Sequence, residues 1–412
     1  MGKNSALSVE SRIESESRQE LDLLLREGAR RMLQQAIEQE VADYIEGHEN
    51  FVDDKGHRLV VRNGRMPSRD LITGVGPVTI QRPRVNDRRP GHKFTSSILP
   101  PFMRRSPSIS SLLPVLYLKG ISTGDFSDAL ESILGKDAAG VSATTIVRLK
   151  QTWEVEYKDW SKRDLSSKRY VYWWADGIHF NVRLEDDRTC ILVLMGTRED
   201  GRKELIGLVD GYRESKISWL DLLRDLKQRG LSEIPKLAVG DGALGFWAAL
   251  QEEFPTVKEQ RCWVHKTANI LDKMPKNIQG RAKEKIHEMY LSATRKEALK
   301  AYDQFLELYA KKYPGACDCL KKDKDVLFAF YDFPAEHWIH IRTTNPIESS
   351  FATVRHRTKR TKGCGSRIAT LTMVYKLARE AEKRWRRING SKMILKIFEG
   401  VKFEDGEIKI AA

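Results

Sequence analysis

Residues 168–260 constrain the fold more than any other part of this chain. Three apolar runs, in KRYVYWWADGIHFNVR, TCILVLMGT and KELIGLVDGY, follow one another with only polar turns between them. Short apolar runs bounded by turn residues read as strands. ISWLDLLRDLKQRG then shows helical spacing, KLAVGDG is a short strand ending in a turn, GFWAALQEEF is a helix, and TVKEQRCW is another short strand. The order is β-β-β-α-β-α-β. Three meandering strands followed by crossover units predict an α/β fold with a mixed sheet and helices on its faces. In a sheet of this order the first and fourth strands run parallel and adjacent.

The flanking segments have other periods. Residues 7–48 read as one helix, with apolar residues at Leu21, Leu24, Leu25, Ala29, Met32, Leu33, Ala36, Ile37, Val41 and Tyr44. Spacing of three to four over so many turns demands a partner face, from another helix or a second subunit. Residues 56–85 switch to short strands with scattered Gly and Pro, and 86–105 read as a basic linker. Residues 106–150 return to helix with the outline of a helix-turn-helix, whose last helix offers Thr144, Thr145, Arg148, Lys150 and Gln151 to a groove. Residues 265–340 are mostly helical, and a basic helix follows, ending near KRWRRING. The expected division is 1–55 helical and dimerising, 56–105 a basic β module with linker, 106–165 DNA-binding helices, 166–264 and 341–412 two parts of one core, and 265–340 a helical insertion.

Charge is distributed unevenly. The 412 residues carry 71 Lys+Arg against 57 Asp+Glu, a net +14. Residues 58–105 hold 11 basic and 2 acidic residues, and residues 341–400 hold 15 basic and 4 acidic, so the remainder is net negative. Two separated basic blocks suit a polyanion, most simply nucleic acid, although a solvated basic face is the plainer reading. Arg62, Arg65, Arg69, Arg82 and Arg84 punctuate the first block and are candidate phosphate contacts, with Arg148 from the helical region. Arg355, Arg357, Lys359, Arg360 and Lys362 play that part in the second. No stretch reaches the roughly 20 apolar residues that span a bilayer. Five cysteines and a polar N-terminus fit a reducing cytoplasm near the nucleoid.

Two acids sit where strands end: Asp176 in WWADG and Asp241 in VGDG. A third, Glu348 in TTNPIES, opens the late helix. Parallel adjacency of the first and fourth strands brings Asp176 and Asp241 together, and a helix packed across that edge adds Glu348. Three converging acids repel, and a divalent cation resolves the repulsion. Carboxylates suit Mg2+ or Mn2+, and two such ions serve in-line attack on phosphorus. Against this, Asp-Gly is an ordinary turn signal. Neither a nucleophile elbow nor a Gly-rich nucleotide loop is found in the sequence.

WWADGIHFNVR, AVGDGALGFWAAL, QRCWVHKTANIL, RTTNPIESSFATVRHRTKRTKG and RNGRMPSRDLITGVGPVTIQRPRV together resemble the bacterial Mutator-type insertion-sequence transposases, the insertion sequence two-five-six family. The resemblance runs from about residue 20 to about 390. It implies a ribonuclease-H-like core in which Asp176, Asp241 and Glu348 match a DDE metal triad. It also implies binding of terminal inverted repeats as a homodimer or larger multimer, release of a 3′-hydroxyl, and its transfer to target DNA. Cys262 and His265 match the family's Cys-x-x-His element. Two ligands are too few for closed zinc, and Cys317 and Cys319 complete a set only if the insertion folds back. The more economical reading has Cys262 and His265 packed beside the active site. The alternatives are a nuclease on the same core and a DNA-binding protein without catalysis.

Overall fold

The computed structural model describes residues 3–119, 121, 126–134, 143–180, 189–211, 214–242, 244–349, 351 and 366–409. The chain divides into two compact units, residues 1–149 and 150–412.

The first unit opens with helix α1 (Lys3–Glu46). Strands β1 (Val60–Arg65) and β4 (Pro83–Asp87) pair antiparallel, as do β2 (Arg69–Thr73) and β3 (Gly76–Ile80). Ile37 of α1 is buried against Leu71, Val78, Ile80 and Leu99, with Ala29 and Leu33 packed on the same cluster. Within the chain the β2–β3 hairpin covers this stripe of the long helix, where the periodicity led us to expect another helix or a second subunit. Of the apolar positions read as one face, Leu21, Leu24, Leu25 and Met32 stay exposed. The buried stripe is the narrower one at fourfold spacing, which a flat hairpin is wide enough to cover. The segment read as a linker is tied down as well. The Glu40 carboxylate accepts from the hydroxyls of Ser96 and Ser97 and from the amides of Ser97 and Ile98, and Leu99 enters the core. Helices α2 (Pro107–Lys119), α3 (Phe126–Leu134) and α4 (Ala143–Ser161) follow.

The second unit is built on a five-stranded sheet. Strands β5 (Tyr170–Phe180), β6 (Thr189–Arg198) and β7 (Lys203–Gly211) form an antiparallel meander. Helix α5 (Lys216–Gln228) leads to β8 (Leu237–Gly240), and α6 (Leu244–Glu253) leads to β9 (Lys258–Arg261). The spatial order is β7-β6-β5-β8-β9, with β5, β8 and β9 parallel. This is the element order and the adjacency that the apolar runs imply.

Side-chain alternation gives the sheet two buried faces. Trp173, Ala175, Leu192, Leu194 and Ala238 face α5 and α6, packing on Trp219, Leu223, Leu226, Phe246 and Leu250. Tyr172 and Trp174 face the other way. The Tyr172 hydroxyl lies 2.7 Å from His337 Nδ1, and Trp174 Nε1 donates to the His340 carbonyl at 3.1 Å. That second face thus carries the chain just before Glu348. Between β9 and this region lie α7 (Trp263–Leu271), α8 (Lys276–Leu291), α9 (Arg295–Tyr309), α10 (Pro314–Lys321) and α11 (Lys324–Leu327). The Gln260 and Trp263 side chains both donate to the Leu327 carbonyl, stapling the end of this helical segment to β9. Residues 345–349 are helical, and a helix runs over Arg367–Glu382, so KRWRRING lies beyond the helix end.

Candidate active site

The parallel pairing of β5 with β8 is in register at Tyr172–Leu237, Trp173–Ala238 and Trp174–Val239. Asp176 and Asp241 each lie two residues beyond the last pair. Asp176 lies within β5, paired with Val193 of β6, not at the strand end that WWADG led us to expect, whereas Asp241 is the first residue past β8; the two stand at the same level on strands about 4.8 Å apart. The parity that puts Tyr172 and Trp174 opposite α5 and α6 puts Asp176 on that face too.

Glu348 reaches this edge through a relay of hydrogen bonds. The Cys262 amide donates to the carbonyl of Gly240, the residue before Asp241, at 2.8 Å. The Cys262 sulfur accepts from the Thr344 amide at 3.3 Å. The Thr344 hydroxyl donates to Glu348 Oε1 and lies 3.3 Å from His265 Nδ1. The Thr344 carbonyl accepts from the Glu348 amide at 2.9 Å, which starts the helix and sets Glu348 in its first turn. A carboxylate is favoured there by the helix dipole. His265 Nδ1 is 3.6 Å from Glu348 Oε1.

Electrostatics connect the same groups. The Cys262 hydrogen bond raises the pKa of His265 to about 9 against its desolvation, and Cys262, Glu348 and Asp241 add charge attraction. His265 is therefore an imidazolium at neutral pH. Burial alone would raise the Cys262 thiol, but hydrogen bonds from His265 and Thr344 outweigh it and lower the pKa.

Glu214, just before the α5 cap residue Ser215, is a site residue that the sequence reading missed. Burial pushes its carboxyl up to about 7, and the charges of Asp241 and Asp176 push it the same way. Its Oε2 lies 3.8 Å from His179 Nε2 and 2.5 Å from where a Cβ on Gly177 would stand. Gly177 thus supplies the space that Glu214 fills. The series Asp176, Glu214, Asp241, His265, Glu348 forms one charge-coupled cluster. Among the described residues, two triads have ligand atoms within 4.8 Å of one another: His179, Cys190 and Glu214, and Cys262, His265 and Glu348. Asp176, Asp241 and Glu348 are not gathered that tightly, as mutual repulsion of carboxylates dictates. Cys317 is buried in α10 and belongs to neither triad, so no four-ligand thiolate set forms among the described residues.

Carboxylate oxygens are the ligands a hard divalent cation takes, and Glu214 beside them is held protonated near neutrality, first by burial and then by the charges of Asp241 and Asp176. A prediction follows from the sign. A carboxyl whose pKa rises from 4.5 unfolded to about 7 folded makes the native state bind more protons between those values. Stability then falls as pH rises from about 4.5 to about 7, by up to about 3 kcal/mol, and levels off above. Melting temperatures across this range are expected to show the fall, Mn2+ to reduce it, and Glu214→Gln to remove it.

A profile of the family described as "Transposase, Mutator family" matches residues 2–388. The chain belongs to the Mutator family of transposases. It is 52% identical over 300 residues to the transposase for insertion sequence element IS6120 of Mycolicibacterium smegmatis, covering 73% of this chain and 92% of that one. It is 51% identical over 286 residues to the transposase for IST2 of Acidithiobacillus ferrooxidans, covering 68% and 94%. Among solved structures, the Drosophila P element transposase strand transfer complex matches 76% of this chain and 88% of that chain at 11% identity, with a TM-score of 0.29, too low to bear on the fold.

The basic residues of this Mutator transposase fall into three groups. Arg62 and Arg65 both pair with Glu38, at 2.8 and 2.9 Å, while keeping about half their surface. Arg69 donates to the carbonyls of Leu99 and Pro100, so part of its role is to hold a loop. Arg82 is half-buried, and Arg84 and Arg148 are exposed. Arg355, Arg357, Lys359, Arg360 and Lys362 lie outside the described residues, as do the side chains of Thr144 and Thr145. No described helix is long and apolar enough to cross a membrane.

Proposed function

We propose that this transposase binds the terminal inverted repeats of its own insertion sequence, cleaves a strand at each end to free a 3′-hydroxyl, and joins that hydroxyl to target DNA. The observation that carries the chemistry is the register of β5 and β8, which sets Asp176 and Asp241 level, with Glu348 tethered to the end of β8 through Cys262 and Thr344. The strand order, an antiparallel meander extended by two parallel strands, supports a ribonuclease-H-like reading of the core.

In this reading Asp176, Asp241 and Glu348 hold two Mg2+ or Mn2+ ions. Bound there, the ions supply charge neutralisation at the scissile phosphate and activation of the attacking oxygen. The chain's own residues do the positioning. Asp176 within β5 and Asp241 just past β8 take their spacing from strands that cannot shift without breaking the sheet. Thr344 holds one Glu348 oxygen and so fixes the orientation of the carboxylate. His265, an imidazolium, offsets negative charge at the Glu348 side of the cleft. Water attacks in the first step and a DNA 3′-hydroxyl in the second, so one geometry serves both.

DNA contact in this reading falls to the basic blocks, and pairing two ends calls for at least a dimer. The six-part division of the chain stands on the same footing. The test uses the DNA that flanks the gene. Full-length protein is expected to nick that DNA at the element boundary only with Mg2+ or Mn2+, and to join the freed end to a second labelled duplex. Cleavage without joining would favour a nuclease. Metal-independent binding with no cleavage would leave only a DNA-binding protein. Arg84→Ala should weaken binding to any sequence alike and reduce the slope of log affinity against log salt by about 1.

A further inference from the structure

Phe102 stands in PPFMRR, between the small β strands and α2, and is 93% exposed. Its φ is +64°, a left-handed backbone that a bulky residue adopts only against a steric penalty. The loop around it is firmly held. Leu99 is buried in the α1–hairpin core and Met103 packs on the same cluster. The Arg69 guanidinium donates to the carbonyls of Leu99 and Pro100, and the Met103 amide donates to the Pro100 carbonyl at 3.3 Å. Beyond it, Ile72 exchanges backbone hydrogen bonds with Arg104 and Ser106, which binds the chain to the edge of β2. Leu99 and Met103 turn inward, and the aromatic ring between them is turned out.

The surroundings are cationic. Arg69, whose guanidinium donates to the loop carbonyls of Leu99 and Pro100, has its pKa lowered by burial and by the charges of Arg82 and Arg104, so both lie within electrostatic reach of it. A rigidly presented aromatic above clustered arginines has charge complementarity to a nucleic acid and none to a hydrophobic partner.

We propose that Phe102 is a wedge that enters a base step of the duplex at the element end, with Arg104 and its neighbours on the flanking phosphates. Apolar side chains used in this way unstack a step and kink the duplex. The proposal rests on the reading that this chain binds its element ends, and adds to it the residue that deforms them.

The test uses full-length protein and duplexes of the gene-flanking sequence carrying 2-aminopurine at successive positions, whose fluorescence rises when its base unstacks. Wild type is expected to raise the signal at one step. Phe102→Ala and Phe102→Gly should lose that rise and weaken end binding about tenfold, while Phe102→Trp keeps both. Glycine adopts the +64° backbone freely, so Phe102→Gly should melt no lower than wild type, which separates the loss from misfolding. An unchanged rise in Phe102→Ala overturns the proposal. So does end binding by wild type with no rise at any position, which leaves the DNA reading intact. A change in oligomeric state with unchanged fluorescence overturns it in favour of a second copy of the chain covering the ring. Failure of wild type to bind any end DNA would remove the underlying reading itself.

Discussion

Asp241→Ala is expected to lower strand cleavage and joining by about a thousandfold or more while leaving the protein folded, with a melting temperature near that of wild type. The rate expectation follows from losing a metal ligand in a reaction whose charge stabilisation is worth several kcal/mol, at about 1.4 kcal/mol per tenfold. The stability expectation follows from crowding. Of the two charges that raise Glu214, Asp241 is the larger, so removing it lets Glu214 ionise at lower cost, which offsets the attraction to His265 that is lost with it. The backbone loses nothing, because Trp247 Nε1 donates to the Asp241 carbonyl, which alanine retains. Two readouts then separate: cleavage in Mg2+ collapses while the melting temperature holds. Binding to the element end should change little. Asp176→Asn and Glu348→Gln are expected to behave alike in catalysis. Near wild-type cleavage by Asp241→Ala would end the assignment of this cluster as the active site.

The acids on strands were legible because the strands were. YVYWWA, CILVLM and LIGLV are short apolar runs bounded by turns, as a sheet buried on both faces requires, and their order with the following helices leaves few ways to arrange five strands. Once the first and fourth are adjacent, Asp176 and Asp241 have nowhere else to go. Glu348 was legible mainly by resemblance, since 107 positions separate it from Asp241 and no spacing rule crosses such a gap. Glu214 was not legible at all. It owes its place to an approach across Gly177, a tertiary event that leaves no periodic trace in DGYRESKISW. Cys262 and His265 illustrate an intermediate case. Their spacing marks them as neighbours at a helix start but says nothing of Thr344 and Glu348, which come from 79 or more positions away. The hairpin under α1 was not legible for a related reason. Periodicity reports that a face is buried; what buries it is decided by chain far away.

Asp323→Ala is expected to be the most destabilising single change near the site. One carboxylate oxygen of Asp323 lies 2.6 Å from Lys266 Nζ and 3.3 Å from Arg261 Nε, and those two cationic side chains are only 2% and 8% exposed. Removing the shared anion leaves two buried cations unpaired, which costs about 3–5 kcal/mol. In a unit of this size that lowers the melting temperature on the order of 10 °C. Pairing the change with Lys266→Met should recover part of the loss, since one stranded charge goes with it, and a double-mutant cycle measures how much. The consequence reaches the acids. The Arg261 guanidinium fills the space beside Gly242, the residue after Asp241, so tightly that a Cβ there would meet Nη1 at 2.5 Å. Arg261 therefore braces the turn that presents Asp241, and Asp323 holds Arg261. Below its melting temperature, Asp323→Asn should accordingly bind Mn2+ more weakly than wild type, whereas a substitution of exposed Asp318 on the same helical segment should not. If Asp323→Ala melted within about 2 °C of wild type, a change worth less than about 1 kcal/mol, the buried cations would have found other partners and the brace would not depend on this carboxylate.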